Sequence, residues 1–303
     1  MKILIAYDGS PFSKYAIDDL AYAGLPQQGV HATVLSIGDV RSPSGVNLEP
    51  ALSIASYAID TVQETIRYAR EAAEQDAEEG AKAVRALFPS WEIEPCARAY
   101  SPASTILEIA DAWKPDLIVM GSHGRGALGR MFLGSVSLRV ASEAKSSVRI
   151  ARKPEHLDPI PTLLLAFDGS RGARETVHRM IHRTWPSEAR LHIVTVINIS
   201  IIAAPEYIWL VGSDIGAYQE MRDSEIERAL SGLEKEMKKY FREVTTAMPV
   251  GIAGHEIIEE AKRVNPRSIF IGSRGLSRFE RLLIGSVAHN VAAHAEQTVE
   301  IVR

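Results

Sequence analysis

Cysteine is nearly absent from this chain: Cys96 is the only one in 303 residues. A single thiol excludes an intrachain disulfide and agrees with a reducing compartment. Cys96 itself reads as a small filler in a strand rather than a reactive thiol. Long hydrophobic runs are missing as well, since no apolar stretch reaches the roughly 18 residues that a membrane span needs. The opening Met1-Lys-Ile-Leu-Ile-Ala-Tyr-Asp8 has no apolar segment followed by a small-residue cleavage site. It reads as a first strand rather than a signal peptide, so the expectation is a cytoplasmic protein with no membrane partner. Positive charge is not in excess either: the net charge is −4, which argues against a nucleic-acid partner. Finally, no Gly-Lys dipeptide occurs anywhere. That excludes a Walker A lysine, and no carboxylate cluster announces a Mg²⁺ site. Fast phosphoryl-transfer catalysis is disfavoured on these grounds, and no catalytic residue or metal ligand is assigned.

What the chain does have is a glycine pattern used twice. Gly121-x2-Gly124-x9-Gly134-Ser135 recurs as Gly272-x2-Gly275-x9-Gly285-Ser286 with identical spacing. Each copy follows a short apolar run of strand character, Leu117–Met120 and Ile269–Ile271, and precedes a helix-like stretch, Ser135–Lys145 and Ser286–Glu296. A strand, a glycine loop and a helix N-terminus together offer free backbone N–H groups to phosphate oxygens. The glycines would be needed where a Cβ blocks close approach or where φ is positive.

The repeat extends over the whole chain. Ile3-Leu-Ile-Ala-Tyr-Asp-Gly-Ser10 matches Leu163-Leu-Leu-Ala-Phe-Asp-Gly-Ser170, with Ser10 and Pro11 suited to an N-cap and first helical residue. Second strands follow at Ala32–Ile37 and Leu191–Val196, then amphipathic crossover helices over Ala58–Leu87 and Gln219–Val244. Third strands are predicted over Glu92–Tyr100 and Thr245–Gly251, helices over Ala103–Trp113 and His255–Val264, and closing strands at Val148–Arg152 and Val299–Arg303. Five strands alternating with four helices imply a doubly wound parallel sheet with helices on both faces. The proline-rich run Arg152–Pro161 reads as a linker. The expected division is therefore a first domain at 1–153, a linker at 154–161 and a second domain at 162–303. In such sheets a ligand sits beyond the carboxyl ends of the strands where the order reverses, which brings Asp8 and Gly121 together.

These motifs, with the run Asp116-Leu-Ile-Val-Met-Gly-Ser-His-Gly-Arg125, resemble the universal stress protein family in its tandem two-domain form. The resemblance implies two flavodoxin-like (adenine nucleotide α-hydrolase-like) α/β domains and, where the glycine motif is kept, bound ATP, with or without Mg²⁺. Carried over by position, Ala6, Tyr7 and Ile37 would line the adenine, Asp8 would meet the ribose or adenine side, and Met120 with Gly121 would approach the nucleoside. Gly124, Gly134, Ser135, Val136 and Ser137 would surround the phosphates, with His123 and Arg125 beside them. Asp8 also suits a capping role in the turn that follows it. The second copy supplies Ala166, Phe167, Asp168, Val196, Ile271, Gly272, Arg274, Gly275, Gly285, Ser286 and Val287. There Ala288 replaces the hydroxyl of Ser137, which predicts a weaker second site, while Arg274 in place of His123 works the other way.

Around the motif, Arg130, Arg278 and Arg281 read as solvated loop residues, and His178 with His182 as a surface pair rather than a metal site. The apolar insertion Ile199–Val211 reads as packing against the neighbouring domain, or as a lid or partner surface. The resemblance further implies that the two closing strands pair antiparallel as an intrachain pseudo-dimer, with further homodimerisation open. The expected function is a cytoplasmic stress-response protein in which ATP binding sets conformation or the choice of protein partner. A slow ATP hydrolase, a nucleotide α-phosphate-transfer enzyme and a scaffold with empty pockets are the alternatives.

Overall fold

The computed structural model describes residues 1–40, 55–124, 133–154, 160–198, 215–275 and 284–303. The chain forms two units, Met1–Arg152 and Lys153–Arg303. In the first, β1 (Lys2–Ala6), β2 (His31–Gly38), β3 (Glu92–Ala99), β4 (Leu117–Gly121) and β5 (Ser147–Ala151) alternate with α1 (Pro11–Asp19), α2 (Ala55–Leu87), α3 (Pro102–Trp113) and α4 (Ser135–Glu143). The strands run parallel in the order β3-β2-β1-β4-β5. The doubly wound parallel sheet is as expected. Its order differs from the 2-1-3-4-5 of flavodoxin itself and places the reversal between β1 and β4.

The second unit repeats the plan. β6 (Thr162–Ala166), β7 (Arg190–Val194), β9 (Glu243–Ala247), β11 (Ser268–Gly272) and β12 (Thr298–Val302) lie in the order β9-β7-β6-β11-β12. Its helices are α5 (Arg171–Ile181), α6 (Ile215–Met237), α7 (Ala253–Val264) and α8 (Ser286–His294). Two boundaries depart from expectation. The long helix stops at Met237 instead of continuing to Val244, because the buried Phe241 ends it and Arg242 N–H already donates to the Ala189 carbonyl. The strand expected over Thr245–Gly251 divides into β9 and a short β10 (Val250–Gly251) paired with β8 (Ile197–Asn198). Pro249, which has no N–H to give a ladder, lies at that break.

Register decides which residues share a face. Ile3, Ile5 and Tyr7 join Ala32, Val34, Leu117 and Val119 in one apolar cluster with residues of α1 and α2. Leu4 and Ala6 therefore point to the opposite face, with Leu35 beside Ala6 in register and Met120 one step beyond the Ile5–Val119 pair. The second unit divides likewise: Leu163, Leu165, Leu191, Ile193 and Phe270 form one cluster, and Ala166, Val194 and Ile271 lie on the other face.

Each unit buries one ion pair on its last strand, with opposite polarity. In the first, Arg149 of β5 donates through Nε to Asp19 Oδ2 at 2.7 Å, and both side chains are fully buried. In the second, the matching position is Glu300 of β12, which pairs with Arg183. Removing one member leaves the other charged in an apolar setting, which costs about 3–5 kcal/mol, whereas replacing both by apolar residues can be nearly neutral. Arg149→Met should accordingly lower the stability of the first unit by about that amount in urea unfolding, and Asp19→Leu added to it should restore most of the loss.

Candidate functional site

The two strand ends at the reversal point are held by the same local chemistry in both units. Gly9 and Gly169 take φ +73°, a conformation that costs a side chain dearly, so the Asp-Gly-Ser turn requires glycine there. Asp8 Oδ1 accepts from Ser10 N–H at 3.1 Å, and Asp168 Oδ1 accepts from Ser170 N–H at 2.9 Å. Ser10 and Ser170 in turn cap their helices, accepting from Ser13 N–H and Ala173 N–H. The capping role read for the aspartate is thus real, and it runs through Oδ1. The other oxygen faces the glycine loop: a Cβ on Gly124 would lie 3.0 Å from Asp8 Oδ2, and one on Gly275 would lie 2.7 Å from Asp168 Oδ2.

Gly121 and Gly272 serve packing. A Cβ on Gly121 would stand 2.7 Å from the Phe12 carbonyl carbon, and one on Gly272 would stand 2.6 Å from that of Gly172. The end of the fourth strand therefore presses backbone to backbone on the first turn of the first helix. Gly134 and Gly285 also answer to backbone: their φ values are −61° and −78°, so neither needs the left-handed region. Their Cβ atoms would approach the carbonyl oxygens of Ser122 and Ser273 at 3.1 and 3.4 Å, and their N–H groups donate to those same oxygens. A side chain at Gly134 would thus first meet the Ser122–His123 backbone.

Beyond these glycines the helices begin without help. Neither α4 nor α8 has a side-chain hydrogen bond at its cap, so among the described residues no side chain caps the first-turn amides at Ser135–Ser137 and Ser286–Ala288, which suit an anion.

Several residues named from sequence are placed differently from one another. Ala6, Ile37 and Met120 fall on one face of the sheet, and Ala166 and Ile271 on the corresponding face of the second unit, with Val196 just beyond the end of β7. Met120 and Ile271 are buried, while Ile37 and Val196 are half-buried. Tyr7 lies on the opposite side, correcting its assignment to the adenine wall. Its ring packs where a Cβ on Gly80 of α2 would come within 2.9 Å, and it belongs to the core cluster. Burial, followed by the neighbouring Glu79 carboxylate that accepts from its hydroxyl, pushes its ionisation well above the ordinary tyrosine range. Phe167 sits equivalently against the second core. The alternation of a strand makes this unavoidable, because residues next to each other point to opposite faces.

Ser137 is also corrected. Its hydroxyl is buried and donates to the Gly121 carbonyl at 2.8 Å, tying the start of α4 to the end of β4. That proton is not available to a phosphate, so the replacement by Ala288 does not by itself weaken the second site. His123 places Nδ1 3.1 Å from Ser122 Oγ and its ring 5.0 Å from that of Phe12. Arg274 in the second unit is exposed. Arg125, Arg130, Arg278, Arg281 and the insertion Ile199–Val211 lie outside the described residues. Among the described residues no group of three His, Cys, Asp or Glu side chains could hold a metal ion, and no helix is long and apolar enough to cross a membrane.

Comparisons with known proteins bear on both repeats. A family model described as the universal stress protein family matches residues 1–152 and again 160–303. A universal stress protein of Mycolicibacterium smegmatis is 25% identical over 306 residues, 99% of this chain and 96% of that protein. The universal stress protein YxiE of Bacillus subtilis is 27% identical over 144 residues, covering 46% of this chain and 97% of its own length. Among solved structures, a universal stress protein from Archaeoglobus fulgidus matches with a TM-score of 0.61 at 21% identity, over 100% of this chain and 96% of that one; this likeness speaks to the fold.

If Ser137 ties α4 to β4, Ser137→Ala should lower the stability of the first unit by about 1 kcal/mol, read as a shift of its urea midpoint. A phosphate ligand alone would leave the midpoint of the nucleotide-free protein unchanged.

Proposed function

From the premise that the chain belongs to the universal stress protein family, whose model spans both repeats, we propose that each repeat binds ATP and that occupancy sets the conformation or partner choice of a cytoplasmic stress-response protein. The observation that carries the reading is the duplicated meeting of a strand-end carboxylate with a glycine, Asp8 with Gly124 and Asp168 with Gly275. In both units the outer oxygen of the aspartate faces a glycine where a Cβ would come within 3.0 Å, and the next helix starts uncapped.

Each part suits one part of a nucleotide. A carboxylate oxygen accepts from ribose hydroxyls, which are donors it can hold in pairs. The first-turn amides of α4 and α8 and the helix dipole favour phosphate oxygens, and the absent side chains at Gly124 and Gly275 let a phosphate reach them. The apolar face formed by Ala6, Ile37 and Met120, or by Ala166 and Ile271 with Val196 just beyond, suits a purine. His123 in the first site and Arg274 in the second would stand beside the phosphates. With Asp8 or Asp168 directed at the ribose, Mg²⁺ would be held chiefly by the phosphates themselves.

Native mass spectrometry of the full chain in ATP is expected to record two nucleotides bound. Asp8→Asn should weaken one site by roughly tenfold to a hundredfold, the loss of hydrogen bonds to a charged acceptor, and Asp168→Asn should do the same to the other. Two equally filled sites in both variants would exclude the carboxylates as ribose ligands, and no uptake by the unaltered protein would overturn the ATP reading.

A further inference from the structure

Three described residues other than glycine take a positive φ: Lys114 at 53°, Asn265 at 44° and Tyr100 at 142°. The first two end helices in the left-handed conformation, a common device. Tyr100 lies elsewhere, in a region that is strained for any residue with a side chain. It gains nothing visible from its ring, which is 62% exposed, and its side chain has no hydrogen bond or ring contact among the described residues. The matching residue of the second unit is Gly251, whose φ is not positive.

Its place in the fold gives the strain a direction. Tyr100 follows the last residue of β3, and its N–H donates to the Gly38 carbonyl at 3.0 Å. Register pairs Ile37 with Arg98 and Gly38 with Ala99, so Tyr100 stands at the carboxyl edge of the sheet, beside the strand end that carries Ile37. On its other side α3 begins at Pro102. The backbone is held from both sides, and the exposed residue stands at the same carboxyl edge of the sheet as Asp8, which follows β1.

Resting on the nucleotide reading above, we infer that Tyr100 contacts the base at the first site, its ring stacking on the purine at the outer margin of the face formed by Ala6, Ile37 and Met120. Stacking needs only a π-face and no hydrogen-bond partner, which fits a ring whose hydroxyl has no partner among the described residues. The second site has Gly251 in place of this ring, so the two sites differ in how they hold the base.

The test is calorimetric titration of the full chain with ATP and, separately, with inorganic tripolyphosphate, together with melting of each variant. Tyr100→Gly should weaken one of the two ATP sites about tenfold, the loss of one base stack, and leave the other unchanged. Tripolyphosphate binding should stay as in the unaltered protein, and the melting midpoint should not fall, because glycine relieves the strain. Tyr100→Phe should keep full ATP affinity. Two unchanged ATP sites in Tyr100→Gly, a parallel loss of tripolyphosphate binding, or a lower melting midpoint would each overturn the assignment to the base. Absence of ATP uptake by the unaltered protein would instead remove the nucleotide reading on which it rests.

Discussion

The close approach of β4 to α1 at Gly121, and of β11 to α5 at Gly272, is the constraint on which the rest of each site depends. With a Cβ due at 2.7 and 2.6 Å from the helix backbone, no other residue permits this contact without moving the helix or the strand. Once it is made, the strand-end aspartate and the glycine loop must face each other. Gly124 and Gly275 then have to be bare because a carboxylate oxygen stands where a side chain would be. The Asp-Gly-Ser turn works from the other side, as one carboxylate oxygen is spent on the turn N–H while the second remains directed at the loop.

Around this shared frame the two units have diverged by small exchanges that conserve the local physics in different ways. The tie from Ser137 to the Gly121 carbonyl has no equivalent at Ala288, which is simply buried. The buried ion pair on the last strand survives with its polarity reversed, Arg149 with Asp19 against Glu300 with Arg183; both arrangements satisfy the requirement that a buried charge be paired. In the second unit, His192 of β7 lies between Thr245 and Glu260, each at 2.7 Å, and burial holds its protonation below the usual histidine range. The first unit has Thr33 at that position. These differences leave the carboxylate and loop geometry intact in both copies.

How much of this was legible in the sequence depends on the range of the interaction involved. The repeat, the strand and helix order and the Ser10 cap follow from patterns within a few residues, since apolar runs, Asp-Gly-Ser and Gly-Ser are local instructions. The break at Pro249 carried a sequence signal that a continuous strand over Thr245–Gly251 disregarded. Tyr7 shows the other limit. Its neighbour Ala6 lies on the other face, and alternation sends the tyrosine to the α2 side, which an assignment by motif position does not take into account.

The sequence by itself determined that the chain is a tandem pair of parallel α/β units and pointed to a convergence of Asp8 with Gly121 beyond the strand ends, because identical spacings twice over demand one local architecture. Only the tertiary structure decided what each of these residues does within its site. Whether a glycine makes room for a ligand or for a helix, whether the Ser137 hydroxyl serves a phosphate or a carbonyl, and what Tyr100 gains from its strained backbone all turn on atoms brought together from distant parts of the chain. Spacing along a sequence records which residues recur, whereas the direction of a side chain is fixed by strand register and by the elements packed on each face.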